Sequence, residues 1–415
     1  MTTLTGNATE APLSDVLVLD CSLLSAGAAA AHLADLGARV IKVEPPGGDY
    51  VRQLTWPIIE GDSLMHHEVS RGKQSLVLDL RHEQGVGVFR ELAAKADVVI
   101  EAMRPGALAR RGLGYEELRA LNPALVFCCL SGYGMDGPYR DMPAHGLAFD
   151  AWAGLVAPAY DEAGFCYIPE HPSVGMHAGP LYAGMAICAA LLRARSSGTG
   201  AFLDVGQSDA AAYMDRLRSE TWKAYQRPQS EVTGNASDDH ERRAPGTAGM
   251  REGVRYQFYA TSDGHVLFMA SEQEFWKNFC DGIQRSDLFE RWPGHLYGDH
   301  ARNNRELQAQ LREIFTTRSS AQWLQFASDH NTAIAPVNTP QSLLDDPHFQ
   351  ARMPWLQAAD HVADMLPLPV KFLGESLPEP AVAPAAGEHS RGILEELLGY
   401  DQAQVQALLD AGVLA

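Results

Sequence analysis

The run from Val16 to Asp49 constrains the fold of this 415-residue chain more than any other stretch. Val16-Leu-Val-Leu-Asp20 is a short apolar strand. After it come a turn containing Gly27, an Ala-rich helix closed by Gly37, and a second apolar strand ending at Glu44. Together these make one βαβ unit. A ligand is expected at the strand ends, where the helix N-terminus offers free N–H groups. Gly27 stands alone where a G-x-G-x-x-G dinucleotide fingerprint needs three glycines, so NAD is not the first expectation.

The pattern then repeats. Ser75 to Leu80 reads as a strand, and residues 82 to 95 read as a helix with Val86, Val88, Phe89, Leu92 and Ala93 on one face. A strand from Ala96 to Glu101 completes a second βαβ unit. Tyr115 to Leu121 is a further helix, and Ala124 to Ser131 is apolar throughout, as a strand buried in a parallel sheet would be. The expected fold class is therefore α/β, and a chain of this length divides into two domains.

Charge and targeting narrow the partners. A net charge of −19 repels nucleic acid and anionic membranes, so neither is expected, and an anionic ligand needs a local basic patch. Residues 1–13 lack the basic-then-apolar order of a signal peptide, and no apolar run is expected to approach the roughly 18 residues of a membrane span, so a cytoplasmic location is expected. The six cysteines stand in apolar contexts without C-x-x-C spacing, which points to buried free thiols and to no metal.

Several segments share one likeness. They are Ala34-Asp-Leu-Gly37-Ala-Arg-Val-Ile-Lys42-Val-Glu44-Pro-Pro-Gly-Gly-Asp49; Ser70-Arg71-Gly72-Lys73-Gln74; Ala102-Met103-Arg104-Pro105-Gly106 with Arg110 and Gly112; and Ser131-Gly132-Tyr133-Gly134 with Gly137-Pro138-Tyr139. In this order they resemble the class III coenzyme A transferases, the family that includes carnitine and formate CoA-transferases and α-methylacyl-CoA racemase. The resemblance implies a Rossmann-like large domain with a parallel sheet, a smaller α+β domain, and a dimer interlocked like chain links. It implies coenzyme A or an acyl-CoA as substrate and a carboxylic acid as co-substrate. It assigns Ser25, Pro45, Arg71, Lys73, Met103, Arg104 and Arg110 to the CoA site. Ala102 and Met103 depart from the commoner Asn and Phe, although Met can still cover an adenine ring.

The family works through an aspartate that attacks the thioester, forming a mixed anhydride and then an aspartyl-CoA thioester. The matching segment here is Pro172-Ser173-Val174-Gly175-Met176-His177-Ala178-Gly179-Pro180, read as a turn before a helix from Leu181 to Arg195, and the aspartate's place is held by Met176. A thioether cannot form an acyl anhydride. Replacement nucleophiles are Asp150, Asp161, Glu162 or Glu170, or His177 after a shift of register. His145 matches the histidine that racemases of the family pair with the aspartate. His145 and His177 are thus the candidate catalytic residues, against a purely structural reading of each.

Residues 1–225 are expected as the first part of the large domain, 226–254 as a linker or mobile loop, 255–333 as the small domain, and 334–415 as a return linker and the rest of the large domain. The formate-type glycine loop has only loosely spaced Gly246, Gly249 and Gly253 as counterparts. Three readings follow. The first is a nucleophile-lacking subunit in a heteromer with an active homologue, with succinyl-CoA as donor and an aromatic succinate such as benzylsuccinate as a candidate acceptor. The second is a stand-alone acyl-CoA isomerase or racemase, lyase or hydrolase with a histidine base, working as a homodimer. The third is an acyl-CoA-binding protein without chemistry.

Overall fold

The structure is a computed structural model that describes residues 11–234, 240–242, 250–294 and 300–415. It divides into two compact units, Met1–Asp215 with Met353–Ala415, and Arg216–Arg352.

The first unit is built on β1 (Leu17–Cys21), α1 (Ala28–Asp35), β2 (Arg39–Glu44), α2 (Leu64–Ser70), β3 (Lys73–Val77), α3 (Glu83–Ala93), β4 (Val98–Glu101), β5 (Val126–Ser131), α4 (Leu147–Trp152), α5 (Val174–Ser197), β6 (Ala201–Gly206) and α6 (Gln207–Met214). The six strands form one sheet in the order β6-β5-β4-β1-β2-β3. Every neighbouring pair in it is parallel. This is the doubly wound order, in which the chain turns back between β1 and β4 and leaves a crevice at the carboxyl ends of those strands.

Alternate residues of each strand feed two cores, as the period of two requires. Leu19, Ile41, Val99 and Phe127 pack with Val88, Phe89 and Leu92 of α3 and with Ile393, Leu394, Val405 and Leu408 from the C-terminal segment. Val18, Val40, Val98, Val126 and Cys128 pack on the other face with Ala30 and Leu33 of α1 and with Ala183, Ile187 and Leu191 of α5. Gly37, which the sequence marks as the end of α1, has φ +97°, and a Cβ there would lie 2.3 Å from the Cβ of Ala11. The C-terminal segment returns through Gly387 and His389, whose N–H groups donate to Ser75 Oγ and Ser75 O at 2.8 and 3.1 Å.

Helix α5 begins earlier than its sequence suggests. It starts at Val174 and takes in Gly175, Met176 and His177 as its first turn. The buried Asp150 of α4 explains this, because its Oδ1 accepts the Gly175 N–H at 2.8 Å and caps the helix. Pro180, within the helix, has no N–H to offer the Met176 carbonyl one turn back. By length and composition alone α5 would suffice to cross a membrane, which exceeds the expected apolar run, yet half of its most apolar window is buried inside the chain.

The second unit carries an antiparallel sheet of β7 (Tyr256–Ala260), β8 (His265–Met269) and β9 (Ile334–Pro336). Its core is aromatic: Phe268, Trp276, Phe279, Phe315 and Trp323 are fully buried. They come from β8 and from α7 (Gln273–Gly282), α8 (Arg305–Phe315) and α9 (Ser320–Asp329). Residues 226–254, read as a linker, fall within this unit; 235–239 and 243–249, with Gly246 and Gly249, lie outside the described residues.

Candidate active site

A cleft of about 340 Å³ opens at the crevice between β1 and β4. Its walls come from the carboxyl ends of four strands: Leu23 to Ala26 after β1, Ala102 to Pro105 after β4, Ser131 to Tyr133 at the end of β5, and Gln207 after β6. Met142 to Gly146 and Phe149 close another side. Such a position is dictated by topology, because loops leaving β1 and β4 diverge to opposite faces of the sheet. Tyr50, Met103, Tyr133 and Phe149 make much of the surface apolar, while Arg104 and Arg140 supply positive charge. Among the described residues, no aspartate or glutamate lines the cleft.

Of the residues assigned from sequence, Ser25, Met103, Arg104 and His145 meet in this cleft. Arg110 lies behind the loop, with Nη1 donating to the Pro105 carbonyl at 3.3 Å. Pro45 is exposed at the end of β2, outside the lining. His177 is exposed on the first turn of α5 and also lies outside it. Met176 stands immediately behind the wall: a Cβ placed on Gly146 would meet its Sδ at 2.3 Å. The carboxylates weighed as substitutes are elsewhere. Asp150 is fully buried in the helix cap, Asp161 accepts the Ala163 and Phe165 N–H groups in an exposed turn, and Glu162 and Glu170 are exposed.

Arg71 and Lys73 are neutralised inside the fold. Arg71 holds Asp35 of α1 in a two-pronged pair, Nη2 to Oδ2 at 2.9 Å and Nε to Oδ1 at 3.2 Å, and reaches Glu68 at 2.8 Å. Lys73 Nζ, with no exposed side-chain surface, donates to Asp20 Oδ2 at 2.7 Å and to the Gly27 carbonyl at 2.9 Å. Lys42 joins Asp49 at 2.9 Å in the same buried layer. Burial pushes the Asp20 carboxyl up, but Lys73, Lys42 and Ser22 outweigh it and hold the group below its ordinary value. None of Arg71, Lys73 and Lys42 lines the cleft.

Glu101, at the end of β4 beneath the 102–112 loop, is a buried carboxyl of another kind. Burial raises it to about 7, against the opposing pull of the Leu108 N–H, the Cys129 thiol and Arg110. Cys128 is pushed up to about 12 by burial and by Asp204 and Glu101. Cys166, expected inside, is exposed in a hairpin at 159–167.

The site has members that sequence reasoning did not single out. Tyr50 and Arg140 are two of them, and Gln207 is the third. The cue for Gln207 was a polar residue one step past an apolar strand.

The comparisons with known proteins decide the family. A model described as CoA-transferase family III matches residues 13–390. The chain belongs to that family. Among its relatives, the human succinyl-CoA:glutarate CoA-transferase is 28% identical over 97% of this chain and 90% of its own. The β subunit of the succinyl-CoA–L-malate CoA-transferase of Chloroflexus aurantiacus is 28% identical over 99% of this chain and all of its own. The crystal structure of a CAIB/BAIF family protein from Brucella suis superposes with a TM-score of 0.74 at 26% identity, covering 94% of this chain and 100% of that one. The α/β fold and the family expected from the sequence are those of the protein, and CoA thioesters are the substrates that this family implies.

Proposed function

We propose that this chain is the nucleophile-lacking subunit of a CoA-transferase heteromer, in which a homologous partner carries the aspartate and CoA passes from succinyl-CoA to another carboxylic acid. The observation that carries this reading is the composition of the cleft: among the described residues it offers arginines, apolar surface and a histidine but no carboxylate, with Met176 packed behind Gly146. An acyl-aspartyl anhydride needs a carboxylate within bonding reach of the thioester carbonyl. A thioether has neither the charge nor the second oxygen.

A partner chain has surface to bind. Leu181, Met185 and Leu192 are exposed along α5, and Tyr160, Phe165, Tyr167 and Ile168 are exposed around the 159–167 hairpin. Exposed apolar side chains in such numbers are usual where another subunit packs. That a relative is itself named as a β subunit supports a two-chain assembly.

His145 favours a second reading, a stand-alone acyl-CoA enzyme, because it lines the cleft and an imidazole can serve as the base that takes a proton beside a thioester. One assay separates the two: transfer of label from radioactive succinyl-CoA to a panel of acids that includes glutarate, L-malate and benzylsuccinate. The purified wild-type chain is expected to transfer none, and Met176→Asp to gain weak transfer. Turnover of acyl-CoA by the wild-type chain alone, lost at least tenfold in His145→Gln, would replace the first reading with the second.

A further inference from the structure

Glu101 closes the loop that walls one side of the cleft. It is the last residue of β4 and 2% exposed, and its neighbours at the carboxyl ends of β1 and β5 are Cys21 and Cys129. Its carboxyl accepts the Leu108 N–H and the Cys129 thiol. Residues 102–107 are thereby gathered between the backbone and the side chain of Glu101, and Ala102, Met103, Arg104 and Pro105 of that loop line the cleft. Bonds within the loop shape it further: the Ala107 N–H donates to the Arg104 carbonyl at 3.0 Å, and Arg110 Nη1 to the Pro105 carbonyl at 3.3 Å. Leu108, the far anchor, is fully buried in the same core that Met103 packs against.

The second carboxyl oxygen makes this closure conditional. Oε2 is buried and has no hydrogen-bond partner among the described residues. Ionised, the group holds charge out of water with one oxygen undonated; neutral, it carries no such charge. The titratable groups around it compensate only in part. Burial pushes up the thiols of Cys21 on β1 and of Cys128 and Cys129 on β5, which stay neutral. Arg110, from the loop itself, pulls the carboxyl down by less than burial raises it. We propose that Glu101 is a positioning residue for the CoA site: as the neutral acid it pins residues 102–107 in the form that walls the cleft, and its ionisation lets them open. This rests on the CoA ligand of the reading above and adds a control to it. Opening returns the carboxyl from about 7 to its ordinary 4.5, so the closed loop binds the proton more tightly. Closure is therefore strongest below pH 4.5, weakens as pH rises towards 7, and levels off above that.

The test is amide hydrogen exchange of residues 102–112, read by mass spectrometry on the purified chain from about pH 5 to 8 and corrected for the intrinsic pH dependence of exchange. Protection of these amides is expected to fall about tenfold per pH unit up to about pH 7 and to level off above it, since opening releases one proton. Glu101→Gln keeps an acceptor for the Leu108 N–H without a charge, and its profile is expected to be flat. CoA at about 100 times its Kd, found by calorimetric titration, is expected to raise the protection of the same amides about 10²-fold. A flat wild-type profile, which needs no variant to read, overturns the proposal. So does a slope that survives in Glu101→Gln, or exchange of these amides no faster than that of β4 and β5, which would mean unfolding of the whole unit rather than of a loop. Bound CoA that leaves exchange of the segment unchanged also overturns it, with the CoA reading intact. No binding of CoA at any pH overturns the CoA reading, and this inference with it.

Discussion

Replacing Lys73 by methionine separates a lysine that holds the sheet together from one that holds a ligand. Its ammonium is wholly buried and bonds Asp20 and the Gly27 carbonyl, joining β3 to β1 and to the turn that enters α1. Methionine fills a similar volume, so the loss is electrostatic: Asp20 keeps Ser22 and the nearby Lys42 but loses its shortest ion pair. Breaking a buried pair from one side costs about 3–5 kcal/mol. At 1.4 kcal/mol per factor of ten, amides of β1 and β3 should exchange with deuterium about 10² to 4 × 10³ times faster. Exchange measured on those peptides by mass spectrometry reads the first unit directly, so unfolding of residues 216–352 does not enter. Adding Asp20→Asn should recover part of the protection, because no uncompensated charge then stays inside. CoA affinity, titrated below the unfolding range, should change little. Unchanged protection with a tenfold or greater loss of CoA binding would refute the reasoning and return Lys73 to the ligand.

A second prediction concerns pH. Glu101 is raised from an ordinary 4.5 to about 7, so the folded chain holds this proton more tightly than the unfolded one. Its contribution to stability is greatest below pH 4.5, falls as pH rises towards 7, and is at its full penalty above that; the span corresponds to about 3 kcal/mol. Glu101→Gln should flatten this part of the melting-temperature profile between pH 5 and 8, and parallel profiles for the two proteins would show that the group is not perturbed.

The sequence exposes whatever is local. Gly37, the apolar runs on both sides of α1 and the aromatic helix around Trp276 are readable because each element's own residues decide it. What depended on distant partners was not readable. Arg71 and Lys73 look like a basic loop, and only the fold brings Asp35 and Asp20 to them across 36 and 53 residues. The first turn of α5 looked like a turn because its cap, Asp150, lies 25 residues upstream. Cys166 stands in an apolar stretch that the fold leaves at the surface. Ser131 and Gln207 reach one cleft only because β5 and β6 are neighbours. Ser25, Met103, Arg104 and His145 did converge, since each follows a strand or a loop whose exit the doubly wound sheet aims at one crevice.

The pairing of this chain with an active homologue is tested most directly by native mass spectrometry of the complex, purified gently from its source cells. The expected result is an assembly of two unequal chains, this one at 45.1 kDa and a homologous partner with an aspartate at the place of Met176. A clean homodimer of this chain would contradict the heteromer.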